Sequence, residues 1–195
     1  MRYDLSEVNA VIRDRRTIYP EQFSDREVQM DMVRQILSNA TWAPTHGKTE
    51  PWRFVIFSGK GREKLGESLK ELYSLDAGEE GVRPAKLTKL MRRMELASVI
   101  VLMAMKRDEK KKIPEIEEVE AVACAAQNAM LTACAYGLGA FWSSPKFLYN
   151  PAAAEHFGFE TDDKVLGLLY LGYPEVDWPK SHRKPLEYVS RWVKE

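Results

Sequence analysis

The sequence predicts an α+β domain. Helical stretches outnumber strands, and the strands are interspersed among them without the regular alternation of a parallel βα fold. Four runs carry strand character, at 52–57, 98–106, 140–143 and 164–173, and six others carry helical spacing or helix-start signals. At 195 residues, 45% of them hydrophobic, the chain fits one domain with a sizeable core. Lys+Arg and Asp+Glu both number 29, so the net charge is zero. That balance argues against a nucleic-acid or membrane-surface protein, which would show a basic excess.

Asp4 and Glu7 form a capping box, followed by Leu5, Val8, Val11 and Ile12 at helical spacing. Arg13–Arg16 end that helix, where cations suit the negative end of its dipole. Ser24 and Glu27 form a second capping box, stapled by Phe23 and Val28. The apolar face Val28, Met32, Val33, Ile36, Leu37, Ala40 then runs until Pro44. After the strand at 52–57, the turn Ser58-Gly59-Lys60-Gly61 leads into a helix over 62–75. It matches neither G-x-G-x-x-G nor the P-loop pattern and reads as a plain turn. Residues 76–84 are glycine-rich loop, and 85–96 a short helix. Ser98–Lys106 is apolar throughout, as in a strand buried on both faces. The charge run 107–120 reads as a solvated loop and helix start. Small residues from Ala121 to Ala135 mark a central helix over 119–136 that packs closely on its neighbours and is capped by Gly137. A strand at 140–143, a helix at 151–157 and an apolar strand at 164–173 follow. The tail 174–195 carries the apolar anchors Trp178, Tyr188, Val189 and Trp192. We read 1–195 as one domain, with 174–195 as a tail that wraps another surface.

Little supports hydrolytic or metal chemistry. There is no G-x-S-x-G elbow, and His46, His156 and His182 lack metal-ligand spacing. The abundant carboxylates sit in charge runs. Cys124 and Cys134 lie ten residues apart on one helix, about 15 Å of rise and too far for a disulfide, so both are expected to be buried thiols. The amino terminus has no apolar h-region and the longest apolar run is too short for a bilayer. A soluble, cytoplasmic protein without a metal is expected.

Two polar clusters remain. Arg15-Arg16-Thr17 offers guanidinium forks after a helix, although helix capping alone explains those arginines equally well. Ala43–Trp52 is an irregular loop stiffened by Pro44 and Pro51, opened by Gly47, and supplied with polar groups by Thr45, His46, Lys48 and Glu50. Both resemble the FMN-dependent nitroreductase family, in its short, single-domain form. That family shows an Arg-Arg-Ser-like triplet and then approximately A-P-S-x-x-N-x-Q-P-W-x-F. Gly137–Ser144, Lys164–Pro174 and Arg183-Lys184-Pro185-Leu186-Glu187 resemble three further family elements in the same order.

The resemblance implies a nitroreductase-like mixed, largely antiparallel sheet flanked by helices, in an intertwined homodimer with FMN at the interface. It implies that Arg15, Arg16 and Thr17 contact the phosphate and ribityl chain, with Arg183 adding charge. Pro44, Thr45, His46 and Lys48 would approach the flavin from the partner subunit, and Trp142, Ser143 and Ser144 would lie beside the ring or ribityl chain. Lys48 and Glu50 stand where the family has Asn and Gln. The implied activity is NAD(P)H oxidoreduction of nitroaromatic, quinone or similar small acceptors by a ping-pong mechanism. Such chemistry belongs to the cofactor and demands no catalytic side chain; His46 is the best candidate if one acts. The alternatives are a non-catalytic flavin carrier and a flavin-fragmenting or dehalogenating relative on the same fold.

Overall fold

The computed structural model describes residues 2–78 and 81–194. Strands β1 (Trp52–Ser58), β2 (Val99–Met105), β3 (Gly139–Ser143) and β4 (Lys164–Gly172) form one sheet in the order β1-β2-β4-β3. Every neighbouring pair is antiparallel. The parallel component is a single isolated bridge among the described residues, Thr17 to Ala140, which lays the chain after the first helix along the outer edge of β3. The helices are α1 (Leu5–Asp14), α2 (Met30–Ala40), α3 (Gly61–Ala77), α4 (Pro84–Leu96), α5 (Glu115–Ala135) and α6 (Pro151–His156). The expected α+β class and the antiparallel sheet between helices are both present.

Strand β2 explains the layering. All its residues are buried, and alternate side chains enter opposite cores because successive strand residues point to opposite faces. Val99, Val101, Met103 and Met105 pack with α2 and α5. Ile100, Leu102 and Ala104 pack with α3, α4 and α6. Each fully buried Leu or Ile contributes roughly 1.5–3 kcal/mol, so this double core is a main source of the sheet's stability. Ala121, Ala125, Ala129 and Ala133 are all buried on α5, and their small side chains let that helix lie close to the sheet. Helix α1 is different: it has no buried residue.

Five expectations need correction. Helix α2 begins at Met30, not at Ser24. The Ser24 backbone N–H donates to Tyr173 O at 2.8 Å and that of Val28 to Ser98 Oγ at 2.7 Å, so long-range bonds to the sheet override the local start signal. Helix α5 starts at Glu115, four residues earlier than the apolar pattern suggests. The charge run is only partly solvated: Glu118 is buried and pairs with Arg107, and it also accepts from Asp108 N at 3.1 Å. Asp163 is buried too, accepting from Arg107 N at 2.8 Å and Glu160 N at 3.1 Å. Cys124 is exposed and Cys134 half-buried, because α5 turns its alanines to the core and its sulfurs away. Within the expected loop at 76–84, α3 extends through Ala77, while Glu79 and Glu80 lie outside the described residues. Among the described residues no helix is long and apolar enough to cross a membrane.

Candidate functional site

The arginine pair sits where α1 ends. Arg15 is the C-cap, its backbone N–H donating to Val11 O at 3.1 Å. Arg16 donates through Nε to Pro179 O at 2.8 Å, and through Nη1 to Arg15 O at 2.9 Å and to Arg13 O. Helix capping is therefore real, and it also masks the carbonyls whose dipole would repel an anion. Yet Arg16 shares a cavity of about 460 Å³ with Arg13, Asp14, Ser181, His182 and Arg183. Arg183 donates locally to Ser181 Oγ at 2.9 Å and His182 O at 3.0 Å. Two arginines predicted from opposite ends of the sequence thus converge. Arg13 was missed; its only signal is its place in the last turn of α1.

Thr17 pairs with Ala140, and Ile18 N donates to Ala140 O at 3.2 Å. That bridge carries the triplet to β3, whose far end holds Trp142, Ser143 and Ser144. The Trp142 indole lies over Gly167, where a Cβ would come within 2.6 Å of both Trp142 Nε1 and Ser143 O, and where φ is +140°. Only glycine permits this approach. Trp142 Nε1 is buried with no hydrogen-bond partner among the described residues.

Residues 44–50 lead into β1, the strand at the other edge. Thr45 Oγ1 accepts from Glu50 N at 3.2 Å and pairs with Thr49 Oγ1 at 3.3 Å. His46 Nδ1 pairs with Glu117 Oε2 at the start of α5. Gly47, Lys48 and Glu50 all have left-handed φ, at 61°, 55° and 45°. Non-glycine residues rarely adopt that conformation, Asn being among the better tolerated. The loop is held by Ile113, whose Cδ1 would lie 3.1 Å from a Cβ at Gly47. Pro44, His46, Lys48 and Glu50 are exposed. The loop leads into β1, and the strand order puts β1 four inter-strand spacings, roughly 19 Å, from Thr17. One chain therefore separates the two predicted clusters.

A third group was not anticipated. Arg93 of α4 pairs with Glu21 at 2.9 Å and lies over the Phe141 ring at 4.7 Å and the Tyr19 ring at 5.7 Å. Phe141 in turn stacks on Tyr170, whose buried hydroxyl has no hydrogen-bond partner among the described residues. Burial pushes the ionisation of Tyr170 well above the usual tyrosine range, so it stays a neutral phenol. Tyr19 and Phe141 adjoin recognised motifs, a usable signal; Arg93 has none.

Comparison with known proteins follows the same map. The model of the Nitroreductase family matches residues 12–173. The Escherichia coli (strain K12) protein named "Putative NAD(P)H nitroreductase YdjA" is 30% identical over 146 residues, which is 75% of this chain and 78% of that one. A nitroreductase-like family protein from Bacillus cereus superposes with a TM-score of 0.81 at 27% identity, covering 100% of this chain and 99% of its own. The FMN-dependent nitroreductase NfnB from Mycobacterium smegmatis, solved with NADPH, shares the fold with a TM-score of 0.72 at 19% identity, over 98% of this chain and 100% of its own.

Proposed function

The chain belongs to the nitroreductase family, and from that premise we propose that it is an FMN-dependent NAD(P)H oxidoreductase of nitroaromatic, quinone or similar small acceptors, acting as a homodimer. The observation that carries this reading is the cavity shared by Arg13, Arg16 and Arg183. Its donors fit a phosphate monoester: three guanidinium groups with Ser181 and His182 stand against one carboxylate, Asp14. Arg15, Thr17 and the end of β3 at Trp142, Ser143 and Ser144 complete one half of the site. The names of YdjA and NfnB, which mention NAD(P)H, FMN and NADPH, support the choice of cofactor and donor.

When bound, FMN supplies the two-electron chemistry that links the nicotinamide donor to the acceptor. The chain's own residues bind and orient. Arg13, Arg16 and Arg183 hold the phosphate; Trp142, Ser143 and Ser144 lie beside the ring or ribityl chain; the 44–50 loop presents Thr45, His46 and Lys48 from a second copy. The separation of the two clusters across the sheet supports that two-chain site. So do the exposed Leu5, Val8 and Ile12 of α1 and the exposed Leu186, Tyr188, Val189, Trp192 and Val193 of the tail. The tail itself divides. Trp178 Nε1 donates to Asp14 O and Pro179 O accepts from Arg16, so residues up to about 183 stay on their own subunit. The apolar remainder is what reaches the partner. No side chain is assigned as an acid or base, since Nδ1 of His46 is already engaged by Glu117.

The test is the visible spectrum of the purified protein, followed by anaerobic NADH and NADPH. A flavin spectrum bleached by either donor and restored by a nitroaromatic or quinone is expected, with parallel double-reciprocal plots. Colourless protein that takes up no FMN overturns the cofactor assignment. Bound flavin that neither donor bleaches reduces the protein to a carrier.

A further inference from the structure

Beside Ser143 lies a second cavity, of about 590 Å³, within the range of small-molecule sites. Its apolar wall is Tyr73, Leu90 and Phe147, with the Tyr73 and Phe147 rings stacked at 5.4 Å and 19°. Its rim is basic. Arg83, Lys86, Lys89 and Arg93 come from the start and one side of α4, and Lys146 from the turn after β3. Asp76 is the acid of the described lining. Arg93 is partly neutralised by Glu21. Arg83, Lys86, Lys89 and Lys146 have no ion-pair partner among the described residues.

A helix with lysines three residues apart usually just faces water. Here the lysine side faces across a cavity to a cation from a different element, over a floor of aromatic rings. Like charges brought together around an empty space repel, and an anion in that space removes the repulsion. An aromatic floor under a cationic rim complements a planar ring bearing an acidic group.

We propose that this cavity is the substrate pocket of the flavin site and that it selects for an anionic oxygen group, a carboxylate or phosphate, on the molecule that enters it. The proposal rests on the flavin reading only through Ser143, an expected flavin contact that forms part of the wall. Two molecules could bring that group: an acidic aromatic acceptor, or NADPH through its 2′-phosphate.

The experiment titrates the protein by calorimetry with 4-nitrobenzoate against neutral 4-nitrobenzamide, and with NADP+ against NAD+. The same titrations are made on Lys86→Gln/Lys89→Gln, with Lys110→Gln, on a distant exposed segment, as the control. Loss of two cations should weaken the anionic member of a pair about tenfold and leave its neutral or less charged partner within about twofold. Selective loss for 4-nitrobenzoate assigns the pocket to the acceptor; selective loss for NADP+ assigns it to the donor. Equal affinities within both pairs in the unaltered protein, or equal losses in the variant and the control, overturn the proposal. Binding is read without turnover, so a protein that lacked flavin would fail the spectral test while leaving this one to be decided by the titration.

Discussion

The two edges of the sheet are built in opposite ways. At the β3 edge, Thr17 and Ile18 bridge to the strand, Arg16 ties α1 to Pro179, and the Trp142 indole fills the space above Gly167. At the β1 edge, the 44–50 loop stands exposed, with three residues in left-handed backbone, held by Ile113 and the His46–Glu117 pair. The first edge is packed by its own chain and carries a cavity lined by three arginines. The second leaves Lys48 and Glu50 exposed, while His46 and Thr45 bond within their own chain. A loop kept strained and exposed fits a surface completed by another molecule, whereas the packed edge needs none for its shape.

The largest expected effect breaks the link between the edges. Deleting residues from Lys184 onward removes the exposed apolar tail and keeps Arg183 out of the deletion. The product should be monomeric by light scattering, with FMN occupancy reduced because the partner's loop is lost. Deleting from Lys180 onward also removes Ser181, His182 and Arg183, and FMN should then be lost entirely. A stable dimer from the first deletion would show that the tail is dispensable for assembly.

Glu118→Ala tests the support under the exposed loop. It leaves Arg107, whose side chain is only 12% exposed, without its partner. Removing one member of a buried pair costs about 3–5 kcal/mol, and urea unfolding should show it. The damage should spread to the β1 edge, since the segment 106–114 carries Ile113. Glu118→Gln should recover part of the loss by keeping the hydrogen bond from Asp108 N. A cost below about 1 kcal/mol would mean that water replaces the carboxylate.

Arg16→Ala probes the packed edge. Each charge-assisted hydrogen bond to a phosphate is worth about 1.5–3 kcal/mol, and FMN affinity measured by fluorescence should fall accordingly. Because Arg16 also caps α1, thermal stability of the flavin-free protein should fall slightly as well. Lys at this position keeps the charge but loses the fork, so Arg16→Lys should restore little of the affinity. Unchanged affinity in both variants would leave Arg16 a capping residue only.

The same contrast explains what could be read from sequence. The unbroken apolar run of β2, the alanines of α5 and the Gly137 cap are local patterns with one physical meaning each, and they placed the core. The order of the motifs along the chain carried the family. The false start at Ser24 has a different cause: its capping box is locally valid, and only the distant Ser98 hydroxyl and Tyr173 carbonyl redirect the backbone. Arg107 and Glu118 look solvated in a run of charges until folding buries them together. Arg93 and the basic rim above it depend on how α4 lies over β3, which no spacing in the chain encodes. The separation of Thr17 from the 44–50 loop follows from the strand order β1-β2-β4-β3, and strand order is a long-range property.

The smallest effect sharpens the comparison most. Lys48 holds a left-handed φ of 55° at an exposed site where the family pattern has Asn. Asn tolerates that backbone better than Lys, because its short polar side chain bonds locally. Lys48→Asn should therefore relieve part of the roughly 1–2 kcal/mol cost of left-handed backbone, seen as a rise in the melting temperature. The same change removes a cation from the loop proposed to face the flavin of the partner subunit. A cation near the ring favours the reduced, anionic flavin, so its loss should lower the reduction potential measured by dye equilibration. Stability and potential then report separately on backbone strain and on charge. Lys70→Gln, at an exposed position of α3, removes a cation that makes no bond to the loop and should leave the potential unchanged. A higher melting temperature with an unchanged potential would place the Lys48 ammonium away from the ring and leave the loop's strain without an electronic role.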